Sequence, residues 1–172
     1  DRLHFNWTRN EVLFSSQAGF EKARNGQSLT VWADPSLRLN IAEIIAPWDR
    51  LAGWNLFVPG SDSNADIIYT PSNATCVKPN PDYRTNYSSC TINWNLGQSS
   101  PVLTAQHEIG HCLGLVDFVP SSYPTAGYVN PQRCDNSSKL YFGVMSYCTW
   151  LDQSVWWRYH DRKLLELAGY AR

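Results

Sequence analysis

The sequence lacks an excess of charge of either sign, since 14 Lys and Arg residues oppose 15 Asp and Glu residues. A protein that binds nucleic acid through its phosphates needs a basic surface, so we expect no nucleic-acid partner. Long hydrophobic runs are also missing, because the apolar stretch 41–47 is interrupted by Glu43 and a membrane-spanning helix needs about 20 apolar residues. We therefore expect no membrane partner.

Internal repeats, low-complexity tracts and linkers rich in Pro, Gly and Ser are absent as well. The 172 residues match the usual size of one domain, so a single monomeric domain over 1–172 is expected, with 1–30 as an N-terminal extension of open role. The first residues do not have the pattern of a signal peptide. We expect a mature or trimmed soluble domain.

The cysteines are few and odd in number, five in all, and no two have the Cys-x-x-Cys spacing of a zinc knuckle. Two disulfides and one thiol are the simplest arrangement. The sequence also has four Asn-x-Ser/Thr glycosylation motifs, at Asn6, Asn73, Asn86 and Asn136. Both features favour a secreted protein from an oxidising compartment.

Hydrophobic spacing and capping residues predict the secondary structure. Helices are expected over 11–24, 41–51, 101–113 and 160–168, and strands over 29–33, 54–58, 65–70 and 90–94. This order indicates an α/β or α+β fold. Residues 71–89 are dense in Pro, Asn and Ser and are expected to form a surface loop, whose ends a Cys76–Cys90 disulfide could join.

The residues His107, Glu108 and His111 form the pattern His-Glu-x-x-His within the predicted helix 101–113. Histidines four residues apart lie on one helix face, so both imidazoles can bind one zinc ion. In a chain with this content of His and Glu, the pattern arises by chance with a probability on the order of 0.3%. The sequence therefore predicts a zinc site, with Glu108 as the general base for a water held there.

A catalytic zinc ion needs a third protein ligand and an open position for water. Asp117 lies six residues after His111, and Gly114 between them can adopt a positive φ and turn the chain back towards the metal. We predict Asp117 as the third ligand. The competing candidates are His160, Asp135 and a second water.

The segment 107–117, the residues Ser63–Asp66 before a strand, and the segment 143–147 (Gly-Val-Met-Ser-Tyr) resemble the metzincin metallopeptidases. Within that family the chain is similar to the snapalysins, small secreted proteases with Asp as the third ligand. It also resembles the matrixins, which have His there. The resemblance implies a twisted, mostly parallel sheet with an active-site helix, a Met-turn and a C-terminal helix.

The resemblance also implies roles for residues around the Met-turn. Met145 would form a hydrophobic floor beneath the metal ligands, and the phenol of Tyr147 could donate a hydrogen bond to the developing oxyanion. Similar cysteines pair in snapalysins, so a Cys134–Cys148 disulfide is expected. Cys112 would then be a buried thiol.

The resulting hypothesis is a secreted zinc endopeptidase whose protein or peptide substrate lies antiparallel to an edge strand such as 90–94. The alternative from another functional class is a non-catalytic module with the same fold that binds a protein or a glycan. Hydrolysis of a non-peptide amide is a third possibility. Calcium is a possible second ion, because the turn 61–66 has Asp and Asn oxygens without the spacing of a calcium loop.

Overall fold

The computed structural model describes residues 2–7, 10–15, 18–81, 86–97, 101–115, 144–145 and 159–172. In chain order the described elements are β1 (Arg2–Trp7), β2 (Asn10–Ser15), α1 (Glu21–Arg24), β3 (Leu29–Ala33), α2 (Ile41–Ala52), β4 (Phe57–Pro59), β5 (Ile67–Pro71), β6 (Cys76–Asn80), β7 (Ser89–Trp94), α3 (Pro101–Cys112) and α4 (Tyr159–Ala168). A short 3-10 turn, Pro35–Leu37, follows β3. The fold is of the α+β type.

A five-stranded sheet in the order β4-β3-β5-β7-β6 lies at the centre of the fold. Neighbouring strands from β4 to β7 are parallel, and β6 runs antiparallel to β7. Buried and partly exposed residues alternate along β7, where Cys90, Ile92 and Trp94 are buried. This alternation is what a strand with one face on the core requires.

The amphipathic helix predicted over 41–51 is confirmed as α2. The Asn40 side chain accepts a hydrogen bond from the Glu43 N–H at 3.3 Å and caps its start. Gly53 ends the helix with a φ of +83°, a conformation that glycine adopts without strain. The apolar face, with Ile44 and Trp48 fully buried, packs against the sheet and the other helices in one hydrophobic cluster.

The prediction of a helix over 11–24 is wrong for most of its length. Residues 10–15 form β2, which pairs with β1 in an antiparallel hairpin from Arg2↔Ser15 to Trp7↔Asn10, and the helix α1 contains only Glu21–Arg24. Asn10 as a possible cap and the stop at 25–26 favour a helix when only local residues are considered. Pairing with β1 satisfies the same backbone groups through a partner that local signals do not reveal.

Strand β6 lies within the segment 71–89 that the sequence indicated to be a loop. The segment was expected to be a loop because residues such as Pro79 and Asn80 are uncommon in strands. β6 is the outermost strand of the sheet on its side among the described strands, and an outer strand tolerates proline. The expectation that 90–94 is an edge strand is wrong as well, because β7 is paired with both β5 and β6.

Helix α3 carries the predicted chemistry and packs against α2, β6 and β7. It begins at Pro101 and ends at Cys112. Gly114 follows with a φ of +83°, as its predicted role in turning the chain requires. None of the helices in the described part of the chain is long and apolar enough to cross a membrane.

Candidate metal centre

The two histidines of the His-Glu-x-x-His pattern meet on one face of α3. Their Nε2 atoms lie 3.2 Å apart. The ring centroids are 4.8 Å apart and the ring planes are nearly perpendicular, at 89°. Both side chains are half-buried, as is Glu108 between them. The predicted convergence of the two imidazoles is therefore present.

A backbone carbonyl holds the other nitrogen of each ring. His107 Nδ1 lies 2.8 Å from the Val144 carbonyl oxygen, and His111 Nδ1 lies 2.8 Å from that of Leu115. Because a carbonyl oxygen only accepts, each Nδ1 must carry the proton and donate it. In the neutral imidazole the Nε2 of each ring then presents a lone pair, the form in which histidine binds a metal.

The spacing of the two Nε2 atoms fits zinc. Zn–N bonds of about 2.0–2.1 Å in tetrahedral geometry place two ligand nitrogens about 3.3–3.4 Å apart, close to the 3.2 Å observed. No group of three or more His, Cys, Asp or Glu side chains suited to a metal occurs among the described residues. The predicted third ligand, Asp117, lies outside them, as does Asp135.

The turn at Val144 and Met145 lies directly against α3. Both residues are 1% exposed. A Cβ atom added to Gly110 would lie 2.3 Å from Met145 Sδ and 3.1 Å from a ring carbon of Trp48. The thioether therefore occupies the space over Gly110, which lies between the two histidines in sequence.

The C-terminal end of α3 is held from two sides. The Leu115 N–H donates to the Gly110 carbonyl at 3.3 Å, so the chain turns back along the helix and brings the Leu115 carbonyl to His111. The Tyr170 hydroxyl donates to the Leu113 carbonyl at 2.9 Å and accepts from the Phe20 N–H at 3.1 Å. Burial raises the pKa of Tyr170 to about 12, so the hydroxyl remains a donor.

Sequence reasoning missed Asp161, in the first turn of α4. This carboxylate is 1% exposed, and its Oδ1 accepts a hydrogen bond from the Val144 N–H at 2.9 Å. The sequence does contain a signal for it, because Asp161 precedes the apolar Leu164 by three residues and Leu165 by four. Helix spacing of 3 and 4 places Asp161 on their face, and a buried carboxylate requires a donor.

Tyr69 lies beneath the centre of α3. It is fully buried, and its hydroxyl donates to the Ala105 carbonyl at 2.7 Å. Burial raises the pKa of Tyr69 well above its ordinary value, and the negative charge of Glu108 raises it further. The neutral phenol therefore acts as a support for the helix.

The predicted Cys76–Cys90 disulfide is wrong, and so is the expectation that Cys112 is a thiol. Cys90 forms its disulfide with Cys112, at a Cα–Cα distance of 5.8 Å. Cys76 is paired in register with Asn93, three residues from Cys90, which is a separation of about 10 Å along β7 and too far for a disulfide. Among the described cysteines, Cys76 is the exposed thiol.

Several other predicted residues fall outside the described part of the chain. They are Tyr147, the Cys134–Cys148 pair and the Asn136 motif, and the structure describes only the backbone at Asn6 and His160. Of the remaining glycosylation motifs, Asn73 is exposed. Asn86 is exposed as well, but its side-chain amide is hydrogen-bonded to Glu21, with Nδ2 donating to Oε2 at 3.1 Å.

The turn 61–66, the possible calcium site, has its two carboxylates engaged by protein donors. Asp62 Oδ1 accepts from the Asn64 N–H at 2.9 Å. Asp66 Oδ2 accepts from Lys22 Nζ at 2.7 Å and from the N–H and hydroxyl of Thr30. Asp66, which directly precedes β5, therefore joins the start of that strand to α1 and β3.

No protein-family model matches this chain, and no curated protein matches it. The observations that bear on its function are therefore those of its own sequence and structure. The central one is the imidazole pair of His107 and His111, held by Val144 and Leu115.

Proposed function

We propose that this protein is a secreted zinc-dependent endopeptidase of the snapalysin-like metzincin type. The observation that carries the proposal is the pair of Nε2 atoms 3.2 Å apart on α3, each on a ring whose Nδ1 is held by a backbone carbonyl. Two neutral imidazoles in this arrangement are half of a tetrahedral zinc site. Glu108, next to the first of them, supplies the carboxylate that hydrolysis needs.

The residues that would hold zinc are His107, His111 and, as the proposed third ligand, Asp117. A zinc ion bound there would supply Lewis acidity, which polarises the scissile carbonyl and activates a water. Asp117 adds a negative charge where a third histidine would be neutral. We therefore propose a site of lower net charge and somewhat weaker Lewis acidity than one with three histidines.

Glu108 is the proposed proton carrier. Its carboxylate takes a proton from the attacking water as the C–O bond forms, and delivers that proton to the amine that leaves as the C–N bond breaks. Its position on α3 beside His107 keeps it near the metal ligands without requiring it to be one. The proposed oxyanion donor is Tyr147.

The surroundings of the imidazole pair support a rigid site. Met145 packs against Gly110, and the Cys90–Cys112 disulfide attaches the residue after His111 to the central sheet. A disulfide is compatible with secretion. The proposed substrate is therefore an extracellular protein or an extended peptide.

Glu108→Gln tests the proposal. The amide fills the same space but cannot accept the proton, so casein hydrolysis should fall at least about 100-fold while zinc content by atomic absorption stays stoichiometric. Glu43→Gln is the matched control, because Glu43 is an exposed glutamate on α2. The control should cleave casein at the parent rate, and a zinc chelator should abolish hydrolysis in both the parent and the control.

Two results would contradict the proposal in different ways. If Glu108→Gln cleaves as fast as the parent, Glu108 is not the general base. If the parent binds zinc and hydrolyses neither casein nor unfolded proteins, the non-catalytic binding module is the better account of the fold.

A further inference from the structure

Val144 has both of its backbone polar groups engaged by residues from two different helices. Its N–H donates to Asp161 Oδ1 of α4 at 2.9 Å. Its carbonyl accepts from His107 Nδ1 of α3 at 2.8 Å. A single residue of the turn therefore joins a buried carboxylate to one of the two metal-binding imidazoles.

The burial of Asp161 requires an explanation. Only 1% of the residue is exposed, and burying a carboxylate is costly unless donors compensate it. An apolar residue would attach α4 to the core more cheaply, as Leu164 and Leu165 already do on the same face. A carboxylate is needed at this position if its task is to fix the direction of a particular N–H group.

We propose that Asp161 is a positioning residue, which fixes Val144 so that the Val144 carbonyl holds the imidazole of His107 with its proton on Nδ1 and its Nε2 beside that of His111. The inference rests on the proposed function for its meaning, because the orientation matters only if the imidazoles bind a metal. Asp161 itself does not touch the metal or the substrate.

The proposed effect acts through geometry. A metal-binding histidine keeps its tautomer and ring orientation through the acceptor on its second nitrogen, and loss of such support weakens metal binding by about 10–100-fold. His111 needs no comparable positioning residue, because the acceptor for its Nδ1 is the Leu115 carbonyl, four residues away on the same turn. The acceptor of His107 lies 37 residues away, so it must be held by another part of the fold.

Asp161→Ala and Leu164→Ala, compared in the same experiments, test the proposal. Both remove a buried side chain from one face of α4, but only Asp161→Ala removes the acceptor of the Val144 N–H. The first measurement is the tautomer of His107 in metal-free protein, by long-range proton–nitrogen correlation. We expect the Nδ1–H form in the parent and in Leu164→Ala, and a mixture of tautomers in Asp161→Ala.

The second measurement is zinc affinity by competition with a chromophoric chelator. Asp161→Ala should bind zinc about 10–100-fold more weakly than the parent, and Leu164→Ala should match the parent even though its unfolding free energy is reduced. An unchanged tautomer and affinity in Asp161→Ala would overturn the proposal. Equal changes in Leu164→Ala would also overturn it, since they would show that loosening α4 is sufficient.

If Asp161→Ala does not fold, hydrogen exchange in the unaltered protein decides the matter. The Val144 amide should exchange only through large-scale opening, as a buried bonded amide does. Exchange at the rate of an exposed loop amide would overturn the proposal. A parent protein that fails to bind zinc would contradict the proposed function, whereas the tautomer and exchange measurements need no metal and still decide the role of Asp161.

Discussion

Gly110 shows how a single residue sets the distance between the turn and the helix. The thioether of Met145 lies where a side chain at position 110 would be, and the ring of Trp48 closes the other side. Trp48 is itself fixed, because its Nε1 donates to the Gln106 carbonyl of α3 at 3.0 Å. The absence of a Cβ at position 110 therefore lets the turn of Val144 and Met145 lie against α3.

Gly110→Ala should lower the free energy of unfolding. Alanine favours a helix over glycine by about 1 kcal/mol, but a Cβ 2.3 Å from a buried sulfur must displace Met145, and overpacking costs about 1–3 kcal/mol. Urea unfolding measures the net effect. Gly97→Ala is the control, since its Cβ would meet only Asn95 Oδ1 at 3.4 Å, and a Gly110→Ala protein that is as stable as this control would contradict the packing described.

At the scale of elements, Asp49 joins α2 to β4. Its Oδ1 accepts a hydrogen bond from the Phe57 N–H at 2.8 Å. Burial raises the pKa of Asp49 to about 6, although the hydrogen bonds from the backbone of Phe57 and Leu56 oppose the shift. A raised carboxyl pKa means that the folded state favours the protonated form of Asp49. The stability that protonated Asp49 contributes to the folded state is fully present below about pH 4, and it is lost as the pH rises through about 6.

Asp49→Asn should therefore gain stability relative to the parent as the pH rises from about 4 to 7, because the amide keeps an oxygen acceptor and never ionises. Asp34→Asn provides the comparison. Hydrogen bonds from Ser36 lower the pKa of the exposed Asp34 carboxyl. The difference in unfolding free energy between Asp34→Asn and the parent should therefore not change over about pH 5–7. Urea unfolding at a series of pH values measures both differences, and parallel curves for Asp49→Asn and the parent would contradict the assignment.

The elements themselves were predicted unequally well. The helices α2 and α3 have an apolar face or a local motif together with a terminal glycine, and both occur where expected. The strands β3 and β7 are confirmed within one residue. The hairpin β1–β2 and the strand β6 were missed, because a strand is stabilised by a neighbour that local patterns do not specify.

At the scale of the whole molecule, the Cys90–Cys112 disulfide joins helix α3 to β7, an inner strand of the sheet. Both cysteines are fully buried. The bond closes a segment of 22 residues that contains the predicted metal ligands His107 and His111. It therefore constrains the chain from the central sheet to the end of α3.

Replacing both Cys90 and Cys112 by Ala should lower the free energy of unfolding by about 3 kcal/mol, the value expected from chain entropy for a loop of this length. Cys76→Ala, at an exposed position, should leave it nearly unchanged. Calorimetry measures the stabilities, and peptide mapping without reduction checks the pairing. Recovery of a peptide that joins Cys76 to Cys90 would show that the connectivity is different.

The sequence by itself determined the features that lie within one or two helical turns. The four-residue spacing of His107 and His111 places both rings on one face of any helix, and Gly114 permits the turn that follows. Such features depend on backbone sterics and local hydrogen bonds. The residues of the proposed chemistry could therefore be named without the fold.

Only the tertiary structure decided which distant groups complete those features. The acceptor for His107 comes from Val144, the acceptor for the Val144 N–H from Asp161, and the disulfide partner of Cys112 from β7. Each pairing joins residues at least 17 positions apart. Such contacts form because the core packs the sheet, the helices and the turn together, and packing depends on the shape and burial of the whole chain rather than on any local pattern.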